Sequence, residues 1–257
     1  MSGVRLLECA GLTKRFGGVM ALESLDFEVN EGEILSLIGP NGAGKTTAFN
    51  VITGMSPPTE GDVRLHGESL VGLKPDAVVR CGITRTFQNI RLFRGMSVME
   101  NVLVGRHSKL KTGPVGAVLR TPGAIEEERS AVEFALALLS FAGIASHATD
   151  RAGALSYGDQ RRLEIARALA SEPQLILLDE PAAGMNPREK SELNELMLAI
   201  RARGVTVLLI EHDMKVVMGI SDRIVVIDHG EKIFQGDPAD VRRDPRVLEA
   251  YLGASYA

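Results

Sequence analysis

Gly39-Pro40-Asn41-Gly42-Ala43-Gly44-Lys45-Thr46 has the form G-x-x-x-x-G-K-[ST], and its reading decides the fold. A triphosphate carries dense negative charge. A loop that cradles it needs several backbone N–H groups pointing inward and no side chains in the way. Gly39, Gly42 and Gly44 remove the Cβ atoms and permit the dihedrals such a loop requires. The preceding stretch, Glu33-Ile34-Leu35-Ser36-Leu37-Ile38, reads as a buried strand. The following one, Thr46 to Gly54, reads as a short helix closed by a glycine. The helix N-terminus near Lys45 adds partial positive charge where the phosphates would sit. In that setting Lys45 reaches the β- and γ-phosphates, and the Thr46 hydroxyl can ligate Mg²⁺. A glycine-rich surface turn would explain neither the Lys-Thr pair nor the strand–loop–helix setting.

Leu175-Ile176-Leu177-Leu178-Asp179-Glu180 is the second decisive stretch. Its apolar run has the composition of a strand buried on both faces of a parallel sheet. Asp179 and Glu180 then emerge at the carboxyl end of the strand, where open α/β sheets place their ligands. Asp179 is suited to hold Mg²⁺, and Glu180 to polarise an attacking water. An apolar strand ending in two acids is weak evidence alone. Joined to the phosphate loop, it points to binding and hydrolysis of a nucleoside triphosphate.

Between the two lies Leu155-Ser156-Tyr157-Gly158-Asp159-Gln160. It resembles the L-S-G-G-Q signature of ATP-binding-cassette (ABC) ATPases, with Tyr157 in place of the first glycine and Asp159 in place of the glutamine. Ser156 reads as an N-cap with an acid three residues on, opening a helix from about Gly158 to Ser171. A carboxylate there repels a phosphate unless it turns towards its own backbone. Further segments are similar to the same family. Gln88, in Thr86-Phe87-Gln88-Asn89, resembles the Q-loop glutamine that contacts Mg²⁺ or the attacking water. His212, after the strand Val205 to Ile210, resembles the switch histidine at the γ-phosphate. Phe16 resembles the aromatic that stacks on adenine. Ala183-Gly184-Met185-Asn186 occupies the D-loop, with Asn186 where the family has Asp.

The resemblance implies a P-loop NTPase core of α/β class: a mostly parallel sheet, a flanking antiparallel β subdomain and a helical lobe. It implies one ABC ATPase domain over 5–253, with a core of 5–88 and 154–235, a lobe of 89–153 and a C-terminal extension of 236–257. It assigns ATP contacts to Phe16, Gly39, Asn41, Gly42, Gly44, Lys45, Thr46 and Thr47, and in trans to Ser156 and Gly158 of a partner. Catalytic roles fall on Glu180, His212 and Gln88, and metal contacts on Thr46, Gln88 and Asp179. The chain holds one copy of each motif, so the family implies a head-to-tail pair with two ATP molecules at the junction. ATP drives closure by binding the closed pair better than the open one.

Composition agrees with this reading. The 257 residues allow one large domain. Apolar residues make up 45% and charged residues 24%, as in soluble globular proteins. A net charge of −4 argues against a broad nucleic-acid-binding face. Cys9 and Cys81 both sit in apolar-rich stretches and read as reduced core thiols of a cytosolic protein. His66, His107, His147, His212 and His229 are scattered and suggest no metal cluster. No apolar run approaches the ~20 residues that span a bilayer, and the N-terminus lacks a signal-peptide pattern. A membrane role therefore requires partner subunits.

Strand signals run through Leu6-Leu7-Glu8-Cys9, Leu22 to Val29 and Asp62 to Leu65. Ser97-Val98-Met99-Glu100 starts a helix with a capping box. Glu126 to Phe141 reads as a helix apolar on most sides and hence buried. Ser108 to Gly123 reads as an exposed excursion. Leu193, Leu196, Met197 and Ile200 form a helical stripe within Pro187 to Arg203. Arg223 to Ile227 and Lys232 to Gln235 read as a hairpin, followed by a short acidic-basic tail.

Ile83 to Phe93, Arg161 to Leu169, Pro181 to Pro187 and Asp244 to Gly253 are similar to one branch of the family, the ATP-binding subunits of branched-chain amino acid importers. That branch implies an identical or homologous second ATP-binding subunit, two transmembrane permeases and, indirectly, a solute-binding protein. The chain would then lie peripherally on the inner face of the membrane. The loop Gln88 to Phe93, with Ile90, Arg91, Leu92, Phe93 and Arg94, is where a permease helix is expected to dock. Urea and amide importers and lipopolysaccharide exporters have related subunits. A soluble ABC ATPase of DNA maintenance would need long insertions for which this chain has no room. A P-loop kinase leaves 155–160 and His212 unexplained.

Overall fold

The structure, a computed structural model, describes residues 3–109 and 121–253. In chain order its elements are β1 (Arg5–Phe16), β2 (Val19–Asn30), β3 (Ile34–Ile38), α1 (Lys45–Ile52), β4 (Glu60–Leu65), β5 (Glu68–Ser69), α2 (Pro75–Cys81), β6 (Ile83–Arg85), α3 (Val98–Arg106), α4 (Pro122–Phe141), α5 (Tyr157–Leu169), β7 (Leu175–Asp179), α6 (Pro187–Ala202), β8 (Thr206–Ile210), α7 (Met214–Ile220), β9 (Arg223–Asp228), β10 (Glu231–Gly236), α8 (Pro238–Val241) and α9 (Pro245–Gly253). The chain packs as two units. One holds the residues up to Arg85 and those from Gln174 on; the other is Thr86–Pro173.

The first unit contains two sheets. The larger has the order β10-β9-β3-β8-β7-β6. Its pairings are parallel except for β10, which closes one edge antiparallel to β9. Strands β3, β7 and β8 are buried at every position, as their apolar composition requires. The smaller sheet, β2-β1-β4-β5, is antiparallel throughout. Its Leu7, Cys9, Leu25, Phe27, Val29 and Val63 pack with Phe49 and Ile52 of α1 and with Leu35, Leu37, Leu177 and Val225 of the larger sheet. Alternation along β9 places Ile224 and Val226 on the opposite face. There they meet Val217 of α7, Val241 of α8 and Val247 of α9. The acidic-basic tail thus contains two helices whose apolar residues seal that face. Strand β6 has 3 residues and, among the described residues, pairs with β7 at the edge of the sheet.

The second unit contains α3, α4 and α5. Ser97 caps α3 in a reciprocal capping box with Glu100. Helix α4 starts at Pro122 because Thr121 caps it. It is not buried all round, contrary to its apolar composition. Only Ala131, Ala135, Leu138 and Leu139 are covered, a single stripe at i, i+4, i+7 and i+8. Leu136 and Ile125 face solvent. The expected excursion Ser108 to Gly123 lies largely outside the described residues. Arg161 and Glu164 of α5 are fully buried and paired at 2.8 Å. Arg161 also donates to the carbonyls of Phe87 (2.6 Å) and Gln88 (2.7 Å), and Glu164 accepts from the Arg91 N–H at 3.1 Å. Two buried charges thereby hold the Phe87–Arg91 loop.

The cysteines divide. Cys9 is in the core, its thiol pushed up chiefly by burial, whereas Cys81, the last residue of α2, is exposed. Gly82, in the left-handed conformation, ends α2 and turns the chain into β6.

Candidate nucleotide site

The phosphate loop joins β3 to α1, and its glycines are required by contact as well as by dihedral. A Cβ at Gly39 would stand 2.0 Å from the Ile227 carbonyl oxygen, and one at Gly44 (φ +100°) 2.4 Å from that of Ala21. Helix α1 begins directly after Gly44 with no side-chain cap and no acid in its first turn, and the first N–H groups of a helix have no partner within the helix. Lys45 is buried and donates from Nζ to the carbonyls of Gly39 and Pro40, both at 2.7 Å. Burial lowers its pKa, and the nearby Glu180 and Asp179 carboxylates oppose that shift.

Glu180 follows β7 with φ 47°, a left-handed conformation that a side chain adopts at a cost of order 1–2 kcal/mol. Its N–H donates to the Ile210 carbonyl at 2.9 Å, which ties the end of β7 to the end of β8. His212 follows β8, and its Nε2 lies 2.5 Å from Glu180 Oε1. A cavity of about 210 Å³ is lined by Ala21, Asn41, Gly42, Ala43, Gly44, Lys45, Thr46, Thr47, Glu180 and His212. Residues that the sequence places on separate strand ends thus share one pocket. Gly39 opens the loop beside it. Phe16, at the end of β1, is exposed with the Lys14 ammonium 4.9 Å from its ring centre, and it is not among the pocket-lining residues.

Three supporting residues escaped the sequence reading. Glu211 is buried and accepts the N–H groups of Ala182 (2.7 Å) and His212 (3.1 Å), fixing the loops that carry Glu180 and His212. Burial pushes its carboxyl above the usual range despite those hydrogen bonds. The only signal for it was an acid next to His212. Tyr251 of α9 is pushed up to about 12 by burial and shares a hydrogen bond with the Gly39 backbone. Arg85 donates from Nη2 to Asp179 Oδ2 at 2.7 Å, and both side chains are buried.

The oxygen donors Thr46 and Asp179 suit a hard cation. Among the described residues no group of three His, Cys, Asp or Glu side chains could hold a metal by itself. A sparse protein donor set fits Mg²⁺, which takes one or two carboxylates plus substrate phosphates and water.

The remaining predicted residues belong to the second unit. Ser156 caps α5, its Oγ accepting the Asp159 N–H at 3.2 Å and donating to the Asp159 carboxylate at 2.7 Å. Asp159 therefore does turn back on its own helix start. Gly158 is buried. The Gln88 residue is exposed, and its carbonyl is held by Arg161. In the first unit, Asn186 caps α6, accepting from the Arg188 and Glu189 N–H groups, both at 3.0 Å, within a capping box.

Comparison with known proteins agrees with this geometry. The family profile described as "ABC transporter" matches residues 22–183. A second profile, "Branched-chain amino acid ATP-binding cassette transporter", matches 231–257. The chain is 49% identical to the high-affinity branched-chain amino acid transport ATP-binding protein LivG of Salmonella typhimurium, over 96% of this chain and 98% of that one. It is 48% identical to BraF of Pseudomonas aeruginosa over the same shares. Among solved structures, an ATP-binding cassette of an ABC transporter in its ADP conformation superposes with a TM-score of 0.85, at 33% identity, covering 97% of this chain and 99% of that one. A dimeric cassette in a post-hydrolysis state with ADP and Pi gives 0.76 at 27% identity, covering 91% and 99%. A phosphate loop, a paired Glu and His and a capped signature helix, on a chain that aligns end to end with such cassettes, make this protein an ATP-hydrolysing member of the ABC transporter family.

Proposed function

We propose that the chain powers import of branched-chain amino acids as one of two ATP-binding subunits in a membrane complex. The observation that carries the substrate class is the 49% identity to LivG across nearly the whole of both chains. The separate profile match at 231–257 agrees with it. Among the described residues no helix is long and apolar enough to cross a membrane. In this reading the chain attaches to the inner face through two permeases, which dock at Gln88 to Phe93, and it serves a solute-binding protein indirectly. Phe93 is exposed there, and Arg91 lies 4.1 Å from the Phe87 ring centre. Nucleic acid has no part in it.

The roles of the residues follow. ATP lies on the phosphate loop, held by Gly39, Asn41, Gly42, Gly44, Lys45, Thr46 and Thr47, with Phe16 against the adenine. Thr46, Asp179 and Gln88 would hold Mg²⁺, which when bound would supply positive charge to the phosphates. Glu180 accepts a proton from the attacking water, and His212 orients Glu180 and hydrogen-bonds the γ-phosphate. Ser156 and Gly158 of the partner complete the site head to tail, so a lone chain is half an enzyme. The test is reconstitution of the chain with its permeases and solute-binding protein in vesicles. Leucine, isoleucine or valine should raise ATPase turnover and be taken up. Stimulation by urea or a short amide alone would reassign the cargo.

A further inference from the structure

Asp179 already has a cation. The Arg85 and Asp179 side chains are only 5% and 4% exposed and meet at 2.7 Å. The other arm of the guanidinium donates to Asn50 Oδ1 at 2.7 Å, and the Arg85 Cζ lies 5.3 Å from the centre of the Phe49 ring. Both of those residues are on α1, the helix that begins with Lys45. Arg85 is thus wedged between the helix of the phosphate loop and the acid at the end of β7. It is also the residue at which the chain passes from the first unit to the second.

A carboxylate this deeply buried is costly unless a positive charge faces it. On the reading of Asp179 given above, on which this inference rests, that acid serves a divalent cation when nucleotide is present. Without the metal the acid still needs a counter-charge, and Arg85 supplies it. Guanidinium and metal draw on the same carboxylate. We propose that Arg85 is a resident counter-ion that competes with the divalent cation for Asp179. It thereby keeps the empty site folded and limits how tightly metal and nucleotide are retained. Arg85 is a positioning residue in this account, acting on ATP only through Asp179.

The experiment is a titration of Mn²⁺, followed by electron paramagnetic resonance, into the full chain saturated with a non-hydrolysable ATP analogue. In Arg85→Met the Mn²⁺ dissociation constant should fall by about tenfold or more. That is the lower end of the effect an adjacent opposite charge has on a carboxylate's proton affinity. The metal-free variant should melt lower than wild type, and Mn²⁺ with the analogue should raise its Tm by more than it raises that of the wild type. Arg85→Lys keeps a cation but loses the planar fork. It should tighten Mn²⁺ to a smaller degree, and it decides the matter if Arg85→Met does not fold without metal. Unchanged or weakened Mn²⁺ binding in a folded Arg85 variant overturns the proposal, since Arg85 would then merely support Asp179. Asp179→Asn is the control that separates the two readings. If it leaves Mn²⁺ binding intact, the metal role of Asp179 fails. If it abolishes binding while Arg85→Lys changes nothing, only the competition fails.

Discussion

The N-terminus of α1 carries no side-chain cap and no acid in its first turn, whereas that of α5 carries both. Each is a helix start expected to face a phosphate. At α1 the chain enters from Gly44 in a left-handed conformation, and Lys45 is drawn back onto the loop carbonyls, leaving the first N–H groups for a ligand. At α5 the Ser156 hydroxyl accepts from the Asp159 N–H and donates to the Asp159 carboxylate, so the start of the helix satisfies itself. An anion finds one terminus ready and the other occupied by an internal anion. The difference teaches that the α1 start is open to an anion in the single chain, while the α5 start is satisfied from within. In the head-to-tail pair proposed above, the α5 start would have to exchange its Ser156–Asp159 hydrogen bond for one to a partner's phosphate.

The strongest way to break this comparison is to remove the chemistry from the α1 pocket. Glu180→Gln keeps the shape of the site but removes the base, and should lower kcat by ~10²–10⁴-fold with ATP affinity retained. Size-exclusion chromatography with ATP should then show a long-lived pair. Normal turnover would take Glu180 out of the reaction and leave the pocket a binding site only. Lys45→Ala should raise the dissociation constant for ATP by ~10–100-fold in the isolated chain, the loss of one or more charge-assisted hydrogen bonds at roughly 1.5–3 kcal/mol each. Equal affinity in that variant would place the phosphates elsewhere.

How far this was legible in the sequence depends on the range of the forces involved. The β3–loop–α1 unit is local, so its glycines, strand and helix are readable in order. The same holds for the capping box at Ser97 and for the α6 stripe, whose four apolar residues are all buried. Strand β6 was not legible, because three residues carry no period and its partner β7 lies far along the chain. Arg85 was missed for that reason, and with it the ion pair on Asp179. Arg161 and Glu164 look like ordinary solvated positions of a charged helix. Nothing local announces that both are buried or that they hold Phe87 and Gln88. Asn186 stands where the family has Asp, and the sequence alone does not show what it does. Its side chain serves as the N-cap of α6, a role that Asn fills as well as Asp.

A variant that opens α5 without touching α1 sharpens the comparison further. Ser156→Ala removes the cap and should cost the second unit about 1 kcal/mol, read as a lower Tm. Nucleotide affinity of the isolated chain should not move if, as proposed, Ser156 meets only a partner's ATP. ATP-dependent pairing should weaken at the same time. A shift in single-chain affinity would mean that Ser156 already touches nucleotide within its own chain.

The smallest expected effect tests the occupied terminus most directly. Asp159→Gln removes the charge while leaving a side-chain oxygen that can accept from the Ser156 hydroxyl. A single charge at a helix N-terminus is worth roughly 0.3–1 kcal/mol, and the effect is screened by salt. Two opposed contributions are at stake. The carboxylate stabilises the free α5 start by facing its dipole, and it repels an incoming phosphate. Losing it should therefore lower the Tm of the chain by a degree or two and tighten ATP-driven pairing by about two- to fivefold. The tightening should shrink as salt is raised, since the repulsion that it relieves is exposed and screened. Analytical ultracentrifugation of Glu180→Gln with and without Asp159→Gln, at low and high salt, reads that difference with hydrolysis suppressed. Equal pairing at both salt concentrations would mean that the Asp159 carboxylate stays turned onto Ser156 in the closed pair. The two helix starts would then differ in structure but not in the way they meet phosphate.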